Sequence, residues 1–438
     1  MYDLTEDQGR ALDDMLMFAR SPSKREWAIG LKGFAGTGKT FILPSLVDSL
    51  PPNSCAMTAP TNKAVKVIDG FLRKHSVYTD TMTIHKLLGL RPKKKNGVMV
   101  LEQYGGPLPV KDYQYVGLDE TSMVSAELWK YTIKANEDFG TKFFLIGDKY
   151  QLPPVGELSS LALDVPGPEL TKPIRQREES GILALCMDLR EMMDRKIHKL
   201  PYVPKGPGLE LAYSQAFAAV AGLFDDEWEA NPDSARILAY TNDQVQRYNQ
   251  AIQAIRYPGL QELFAVGEPV LFASPAMECA EVGNEAGDNE KVMFQTASEG
   301  RVMSPPVLSH HPTMRKDAWQ VEVKSADTGE RATVWVLGDE ARKKHKQDVS
   351  ALWEAARAGR ASYREADRAG DAFADLRGAA AQTVHTSQGS TFGTAMLDVT
   401  DALNKNPSKA EAMRCLYVGA SRPSTRLVVN AGKRTPHW

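Results

Sequence analysis

Gly33-Phe34-Ala35-Gly36-Thr37-Gly38-Lys39-Thr40 is the stretch that decides the fold. It matches Gly-x-x-x-x-Gly-Lys-[Ser/Thr], follows a strand-like run at 27–32, and opens into an apolar segment at 41–50. Glycines let backbone N–H groups converge on a phosphate, the lysine reaches its outer oxygens, and the hydroxyl ligates a divalent cation. Gly36, Thr37, Gly38, Lys39 and Thr40 are therefore the candidate phosphate-binding residues. Pro44, four residues beyond Thr40, predicts a kink after the first turn of the helix that follows.

Working outward, apolar runs at 27–32, 55–59, 115–118 and 142–146 alternate with helical segments, the pattern of a doubly wound α/β sheet. Residues 91–109 interrupt it with Lys, Gly and Pro around a short apolar run at 98–101, which predicts a protruding hairpin. A second alternating region starts near Leu170 and has strands at 236–240, 382–385, 395–399 and 427–430. Between its halves, short alternating runs at 264–273, 319–323 and 332–337 predict a small antiparallel barrel, and the Ala-, Arg-, Lys- and Glu-rich stretch 339–370 a helical extension. The expected organisation is a first domain over 1–87 and 110–168, its hairpin over 88–109, a second domain over 169–255 and 376–438, and the barrel with its extension over 256–375.

With 438 residues, 42% hydrophobic and 25% charged, the chain is long enough for two to four globular domains at roughly 100–200 residues each. Its 53 basic and 55 acidic residues give a net charge of −2, which leaves room for local basic stripes and does not exclude nucleic acid. Cys55, Cys186, Cys279 and Cys415 show no disulfide or zinc spacing, so the reducing cytoplasm is expected and any divalent cation should arrive with a phosphate ligand. The acids in Met1-Tyr2-Asp3-Leu4-Thr5-Glu6-Asp7 oppose a secretory signal, and no apolar run reaches about 18 residues, so no membrane segment is expected.

Asp119-Glu120 ends the 115–118 strand. Two adjacent acids downstream of a phosphate loop point to hydrolysis, with Asp119 for Mg²⁺ and Glu120 to polarise a water. Gln151, after Gly147-Asp148, is placed to sense the terminal phosphate or that water.

Taken together, these segments resemble a superfamily 1 helicase, specifically the 5′-to-3′ branch of RecD-like enzymes and the Dda helicases of tailed phages, over most of the chain. Leu4-Thr5-Glu6-Asp7-Gln8 resembles the Q motif, which implies that Gln8 reads the adenine edge. Ala59-Pro60-Thr61-Asn62-Lys63-Ala64-Val65 and Thr83-Ile84-His85 are similar to motifs Ia and Ib, and the segments at Asp119 and Asp148 to motifs II and III. Leu170-Thr171-Lys172-Pro173-Ile174-Arg175-Gln176 and Ala239-Tyr240-Thr241-Asn242 look like motifs IV and IVa. Val384-His385-Thr386-Ser387-Gln388-Gly389-Ser390-Thr391 resembles motif V, and Leu416-Tyr417-Val418-Gly419-Ala420-Ser421-Arg422 motif VI, with Ser421 where many relatives have threonine.

The resemblance implies two RecA-like parallel-sheet domains with ATP and Mg²⁺ in the cleft between them. Arg175 and Arg422 would reach the γ-phosphate from the second domain, with Arg177 a rival for Arg175. Pro60, Thr61, Asn62, His85, Asn242, His385 and Ser387 would line a single-stranded DNA path. Met99, Leu101 and Tyr104 are the candidates for strand separation in the pin-like hairpin, Leu101 standing where phage relatives carry an aromatic tip. Arg342-Lys343-Lys344-His345-Lys346 is expected to be a solvated helix face, and Trp353 and Tyr363 packing residues. The implied activity is 5′-to-3′ translocation and duplex separation in replication, recombination or repair by a monomer at single-strand/duplex junctions, with a replication or single-strand-binding protein as a further partner. Two alternatives stay open: an ATP-gated loader or switch that clamps nucleic acid without moving, and an RNA helicase.

Overall fold

The structure, a computed structural model, describes residues 4–23, 25–95, 98–173, 180–199, 206–277 and 292–432. The first part of the chain runs α1 (Glu6–Arg20), β1 (Ala28–Gly33), α2 (Lys39–Asp48), β2 (Cys55–Ala59), α3 (Asn62–Lys74), β3 (Asp80–Thr83), α4 (Ile84–Leu87), β4 (Leu90–Lys95), β5 (Val98–Gln103), β6 (Tyr115–Leu118), α5 (Ala126–Phe139), β7 (Lys142–Gly147) and β8 (Glu169–Leu170). Six of these strands form a parallel sheet in the order β3-β2-β6-β7-β1-β8. Side chains along β7 alternate between its faces. Phe144 and Ile146 pack with Met15, Leu31, Ile42 and Leu46 under α1 and α2, while Phe143 and Leu145 pack with Leu128 and Trp129 of α5. Burial of both faces accounts for the near-continuous apolar runs read in the sequence. Helix α2 runs through Pro44 to Asp48, so this proline does not end it.

The second part continues with α6 (Gly181–Asp194), β9 (Leu209–Leu211), α7 (Ala216–Ala221), α8 (Asp226–Ala230), β10 (Ala235–Ala239) and α9 (Asn242–Arg256). An insertion follows: β11 (Pro269–Phe272), β12 (Ala276–Met277), β13 (Val292–Phe294), β14 (Glu299–Val302), β15 (Val307–His310), β16 (Asp317–Ser325), β17 (Arg331–Val336), α10 (Asp339–Arg357), α11 (Tyr363–Asp371) and β18 (Leu376–Gly378). The chain then closes with β19 (Ala381–Thr383), β20 (Phe392–Asp398), α12 (Val399–Lys405), α13 (Lys409–Ala420) and β21 (Pro423–Asn430). A second parallel sheet has the order β19-β10-β20-β21-β9. The core on one of its faces, with Leu397, Leu427 and Tyr417, also takes in Phe34 and Leu152 from the first sheet's loops. The two sheets therefore share packed side chains where their loops meet.

The insertion forms an antiparallel sheet around Val270, Phe272, Phe294, Val321, Val323 and Val334, where a barrel is expected. The α10–α11 pair covers the Ala-rich stretch, and the rings of Trp353 and Tyr363 lie 6.0 Å apart, with Tyr363 exposed. The solvated face expected at 342–346 is only partly so. Arg342 bonds Asp375 and the Leu337 carbonyl, and His345 is buried against the Ala369 carbonyl.

Glu268, 4% exposed at the head of this insertion, accepts hydrogen bonds from Gln253 Nε2 at 3.0 and 3.1 Å and from Ala265 N at 2.9 Å. Burial nonetheless pushes its carboxyl up to about 7. A folded-state pKa raised above the unfolded value favours the protonated acid. The stability it contributes is present below the unfolded pKa and is lost as pH rises through about 7. Glu268→Gln, which mimics the protonated acid, is expected to gain about 1–3 kcal/mol over the parent at pH 8, a gain that shrinks toward pH 5. Melting curves of both proteins at the two pH values check this, and an offset independent of pH would contradict it.

No described helix is long and apolar enough to cross a membrane, and Cys55, Cys186 and Cys415 are buried free thiols.

Candidate functional site

Strand β1 delivers the chain at Gly33 and α2 begins at Lys39, so the phosphate loop sits at a strand end facing a helix N-terminus. Gly36 and Gly38 have φ of +88° and +75°, a left-handed backbone that glycine adopts without strain. Thr37 is buried and its Oγ1 donates to the Phe34 carbonyl at 2.8 Å, tying the loop to itself. Lys39 Nζ donates to the Gly33 carbonyl at 2.7 Å and the Phe34 carbonyl at 3.4 Å. Its ammonium is thus held over the loop by neutral acceptors, which a charged phosphate oxygen would outcompete.

Gln8 sits against the phosphate loop. Thr5 and Gln8 form a capping box at the start of α1, with Thr5 N donating to Gln8 Oε1 at 3.0 Å. Gln8 Nε2 donates to the carbonyls of Thr37 at 3.3 Å and Gly38 at 3.2 Å, and the side chain is buried. Both ends of the amide take part, so Gln8 ties the start of α1 to the phosphate loop.

Asp119 and Glu120 follow β6, and Glu120 N donates to Asp119 Oδ1 at 2.8 Å. Glu120 has φ of +54°, an uncommon conformation for a non-glycine residue that costs on the order of 1 kcal/mol. Burial, reinforced by the Glu120 charge, pushes the Asp119 carboxyl up to about 7, while Lys39 opposes the shift. Thr40, in the first turn of α2, and this acidic pair offer oxygen donors only, the chemistry that would suit a hard divalent cation such as Mg²⁺. Gln151 is buried with its Oε1 accepting from Ser122 Oγ at 3.2 Å. Asp148 is also buried and accepts from Tyr150 N at 3.0 Å.

Helix α13 brings the second sheet to these groups. Arg422, just beyond it and 7% exposed, donates to the carbonyls of Val418 and Ser390 and to Ser421 Oγ. Its Nη1 lies 4.0 Å from Glu120 Oε1. Arg175 and Arg177 lie outside the described residues. Three contacts escaped the sequence reading. Arg414 Nη1 donates to the carbonyls of Lys149 at 2.6 Å and Gln151 at 2.7 Å. Gln388 Nε2 donates to the Leu152 carbonyl at 3.1 Å. The Tyr417 hydroxyl donates to Asp148 Oδ2 at 2.6 Å and accepts from Ala35 N at 2.8 Å. The spacing of Arg414 and Tyr417 on one face of a helix was a usable signal, but nothing local indicates what that face meets.

The residues expected along a DNA path gather at strand ends of both sheets. Pro60 follows β2, Thr61 caps α3 by accepting from Ala64 N at 3.2 Å, and Asn62 is exposed at its first position. His85 lies in α4, where burial holds its imidazole below its ordinary pKa and neutral at pH 7. Asn242 opens α9 and accepts from Arg377 Nη1 at 2.7 Å. His385 Nε2 lies 3.4 Å from Glu411 Oε1, and Cys415 completes a group within 4.8 Å. Burial holds that thiol well above its usual range, which leaves the His385–Glu411 pair to orient the ring. Ser387 is a correction: it is fully buried and its Oγ donates to the Val384 carbonyl at 2.7 Å, so its hydroxyl closes the turn and does not face a groove. That turn sits against α3, because a Cβ on Gly389 would lie 3.0 Å from Ala64 Cβ and 3.2 Å from Thr61 Oγ1. Lys63 of α3 pairs with Asp233, just before β10, at 2.6 Å and with Glu299 of the insertion at 3.0 Å.

Strands β4 and β5 pair from Leu90↔Gln103 to Lys95↔Val98, and residues 96–97 lie outside the described residues. Met99 lies on β5 one pair from the end, and its side chain is outside the described residues. Leu101 and Tyr104 are corrections. Leu101 packs into the first sheet's core, with its N–H on Glu127 Oε1 and its carbonyl on Tyr131 Oη, each at 3.0 Å. Tyr104 lies beyond the last pair, its N–H on the Gly89 carbonyl at 2.9 Å. Both therefore belong to the base of the hairpin, and packing against the core explains the apolar character of Leu101.

Residues 3–200 match a family model described as an AAA domain. The chain is 35% identical over 148 residues to an uncharacterized protein, R530, of Acanthamoeba polyphaga mimivirus, covering 30% of each chain. It is 31% identical over 134 residues to the ATP-dependent DNA helicase PIF1 of Danio rerio, covering 28% of this chain and 19% of that one. The matched part thus spans less than a third of these relatives' length. Among solved structures, a Pif1 helicase from Bacteroides in complex with ADP-AlF3 and single-stranded DNA superposes with a TM-score of 0.51 at 16% identity, over 98% of this chain and 93% of that one. A structure describing DNA unwinding at forked duplex DNA by two coordinating Pif1 helicases gives 0.53 at 17% identity, over 98% and 92%. The two parallel sheets and the cleft at their loops are thus the two-domain RecA-like α/β fold of these structures.

Proposed function

We propose that this protein is an ATP- and Mg²⁺-dependent DNA helicase that moves 5′ to 3′ on single-stranded DNA and separates duplex ahead of it. The observation that carries the reading is Arg422 of the second sheet standing 4.0 Å from Glu120 of the first, beside a complete phosphate loop. The relatives named as ATP-dependent DNA helicases support the same reading, and the polarity rests on the resemblance to the Dda-like branch. Action as a monomer in the cytoplasm, at single-strand/duplex junctions, belongs to the proposal.

Lys39 would leave its two carbonyls for the β- and γ-phosphate oxygens. Thr40 and Asp119 would hold Mg²⁺, which supplies charge neutralisation on those oxygens when bound. Glu120 Oε1 would orient a water and accept its proton, and Arg422 would balance the charge that builds on the terminal phosphoryl group. Loss of phosphate removes what draws Arg422 across the cleft, so the sheets separate and chemistry becomes motion. Thr61 and Asn62 on one side and His385 on the other would grip backbone in turn, since neutral donors at strand ends tolerate any base sequence.

Strand displacement on duplexes with a 5′ or a 3′ tail, together with streptavidin release from a biotinylated strand, tests this reading. Unwinding confined to the 5′-tailed substrate with streptavidin release is expected. Activity confined to 3′ tails overturns the polarity, and binding without release replaces the motor with a clamp.

The bonds from Glu127 and Tyr131 to Leu101 hold the hairpin against α5. Losing two such bonds in a Glu127→Ala/Tyr131→Phe variant is expected to cut unwinding about three- to tenfold, with DNA-stimulated ATP hydrolysis within about twofold of the parent. Unwinding at the parental rate in a strand-displacement assay would remove the hairpin from the separation step.

A further inference from the structure

Tyr417 is fully buried on α13, yet its hydroxyl leaves its own sheet and lies between two parts of the first. One partner is the backbone N–H of Ala35, inside the phosphate loop, at 2.8 Å. The other is the carboxylate of Asp148, at 2.6 Å. The segment that carries Asp148 is held by two more groups of the second sheet, Arg414 on the Lys149 and Gln151 carbonyls and Gln388 on the Leu152 carbonyl. It also carries Gln151, which bonds Ser122 close behind the Asp119-Glu120 pair.

The ring of Tyr417 has ample apolar company in the core shared with Phe34, Cys186 and Leu397. Packing alone would be served by phenylalanine. A hydroxyl in that position is needed because burial would otherwise leave the Ala35 N–H without an acceptor and one Asp148 oxygen without a donor. Tyr417 lies near the end of α13 and Arg422 just beyond it, with Arg422 Nε on the Val418 carbonyl, so whatever fixes the Tyr417 hydroxyl bears on the reach of Arg422 toward Glu120.

We propose that Tyr417 is a positioning residue: its hydroxyl latches α13 to the phosphate loop and to Asp148, setting Arg422 for hydrolysis and carrying the state of the nucleotide to the second sheet. This rests on the ATPase reading above. Opening the cleft at the α13 side must break both Tyr417 bonds, and closing it must remake them. The latch therefore reports on the loop that holds the phosphates, while the backbone contacts of Arg414 and Gln388 move the adjoining segment with it.

The test is Tyr417→Phe in the full chain, measured by steady-state ATP hydrolysis with a single-stranded DNA oligonucleotide, by streptavidin release per ATP consumed, and by thermal melting. Loss of the two bonds is expected to lower kcat about tenfold with KM for ATP within about twofold, and to lower release per ATP by at least about threefold. A purely structural role would lower the melting temperature or raise KM, and would leave release per ATP unchanged. Asp148→Asn approaches the same bond from its other end and serves if the first variant fails to fold. The double variant should be no worse than the poorer single one, because both remove one interaction. Parental kcat and parental coupling in both single variants would overturn the latch. Absence of ATP hydrolysis in the parent protein would instead remove the ATPase reading itself.

Discussion

Lys39→Ala is expected to lower ATP turnover by at least about 10²–10³-fold while the protein melts as the parent does. The ammonium is the cation that the phosphate loop itself supplies, and in this structure its partners are the Gly33 and Phe34 carbonyls. Alanine leaves the Phe34 carbonyl its bond from Thr37 Oγ1, so the effect on folding is small. The loss falls on the reaction, where negative charge on the β- and γ-oxygens would meet only backbone N–H groups. Phosphate release measured beside a melting curve separates the two effects, and parental turnover in this variant would refute the phosphate-site assignment.

Arg422→Ala is expected to have the larger consequence for the chemical step, about 10³–10⁵ in kcat if the guanidinium balances charge on the transferring group. Its position is built by the end of α13: the Val418 and Ser390 carbonyls and Ser421 Oγ take three of its nitrogens and leave it 4.0 Å from Glu120. Lysine keeps the charge but has no planar fork to satisfy those acceptors while reaching forward, so Arg422→Lys should recover only part of the rate. Binding of a fluorescent ATP analogue should weaken by less than about fivefold, because an interaction made chiefly in the transition state is spent on kcat. Equal loss of binding and turnover would make Arg422 a ground-state contact or a structural residue.

The elements around these residues were legible because buried parallel strands write long apolar runs and because the phosphate loop needs glycine where φ is positive. The runs at 55–59 and 115–118 are β2 and β6 to the residue. Four of the second sheet's five strands were legible for the same reason, the short β9 not among them, and β19 shares only residues 382–383 with the run at 382–385, because the chain then turns tightly through Ser387 and Gly389. The pattern did not carry the partner that each side chain finds. Gln8, Leu101 and Ser387 sit in stretches that fit their expected roles, yet each spends its side chain or its backbone on a neighbour the sequence does not reveal. Gln8 meets a loop about thirty residues away, and Leu101 meets α5. The contacts of Tyr417 and Arg414 span more than two hundred and sixty residues and exist only because the two sheets face each other. A linear pattern records which face of a helix is apolar, but the identity of the partner across a cleft is a property of the folded arrangement.

The measurement that tests the central claim most directly is steady-state ATP hydrolysis with Mg²⁺, with and without a single-stranded DNA oligonucleotide, at two salt concentrations. A nucleic-acid-driven motor predicts a low basal rate, strong stimulation by DNA, and a rise in the DNA concentration for half-stimulation at the higher salt, because backbone contacts release counterions. A measurable basal rate that DNA leaves unchanged at both salts would contradict the account and leave an ATPase activated by RNA or by a protein.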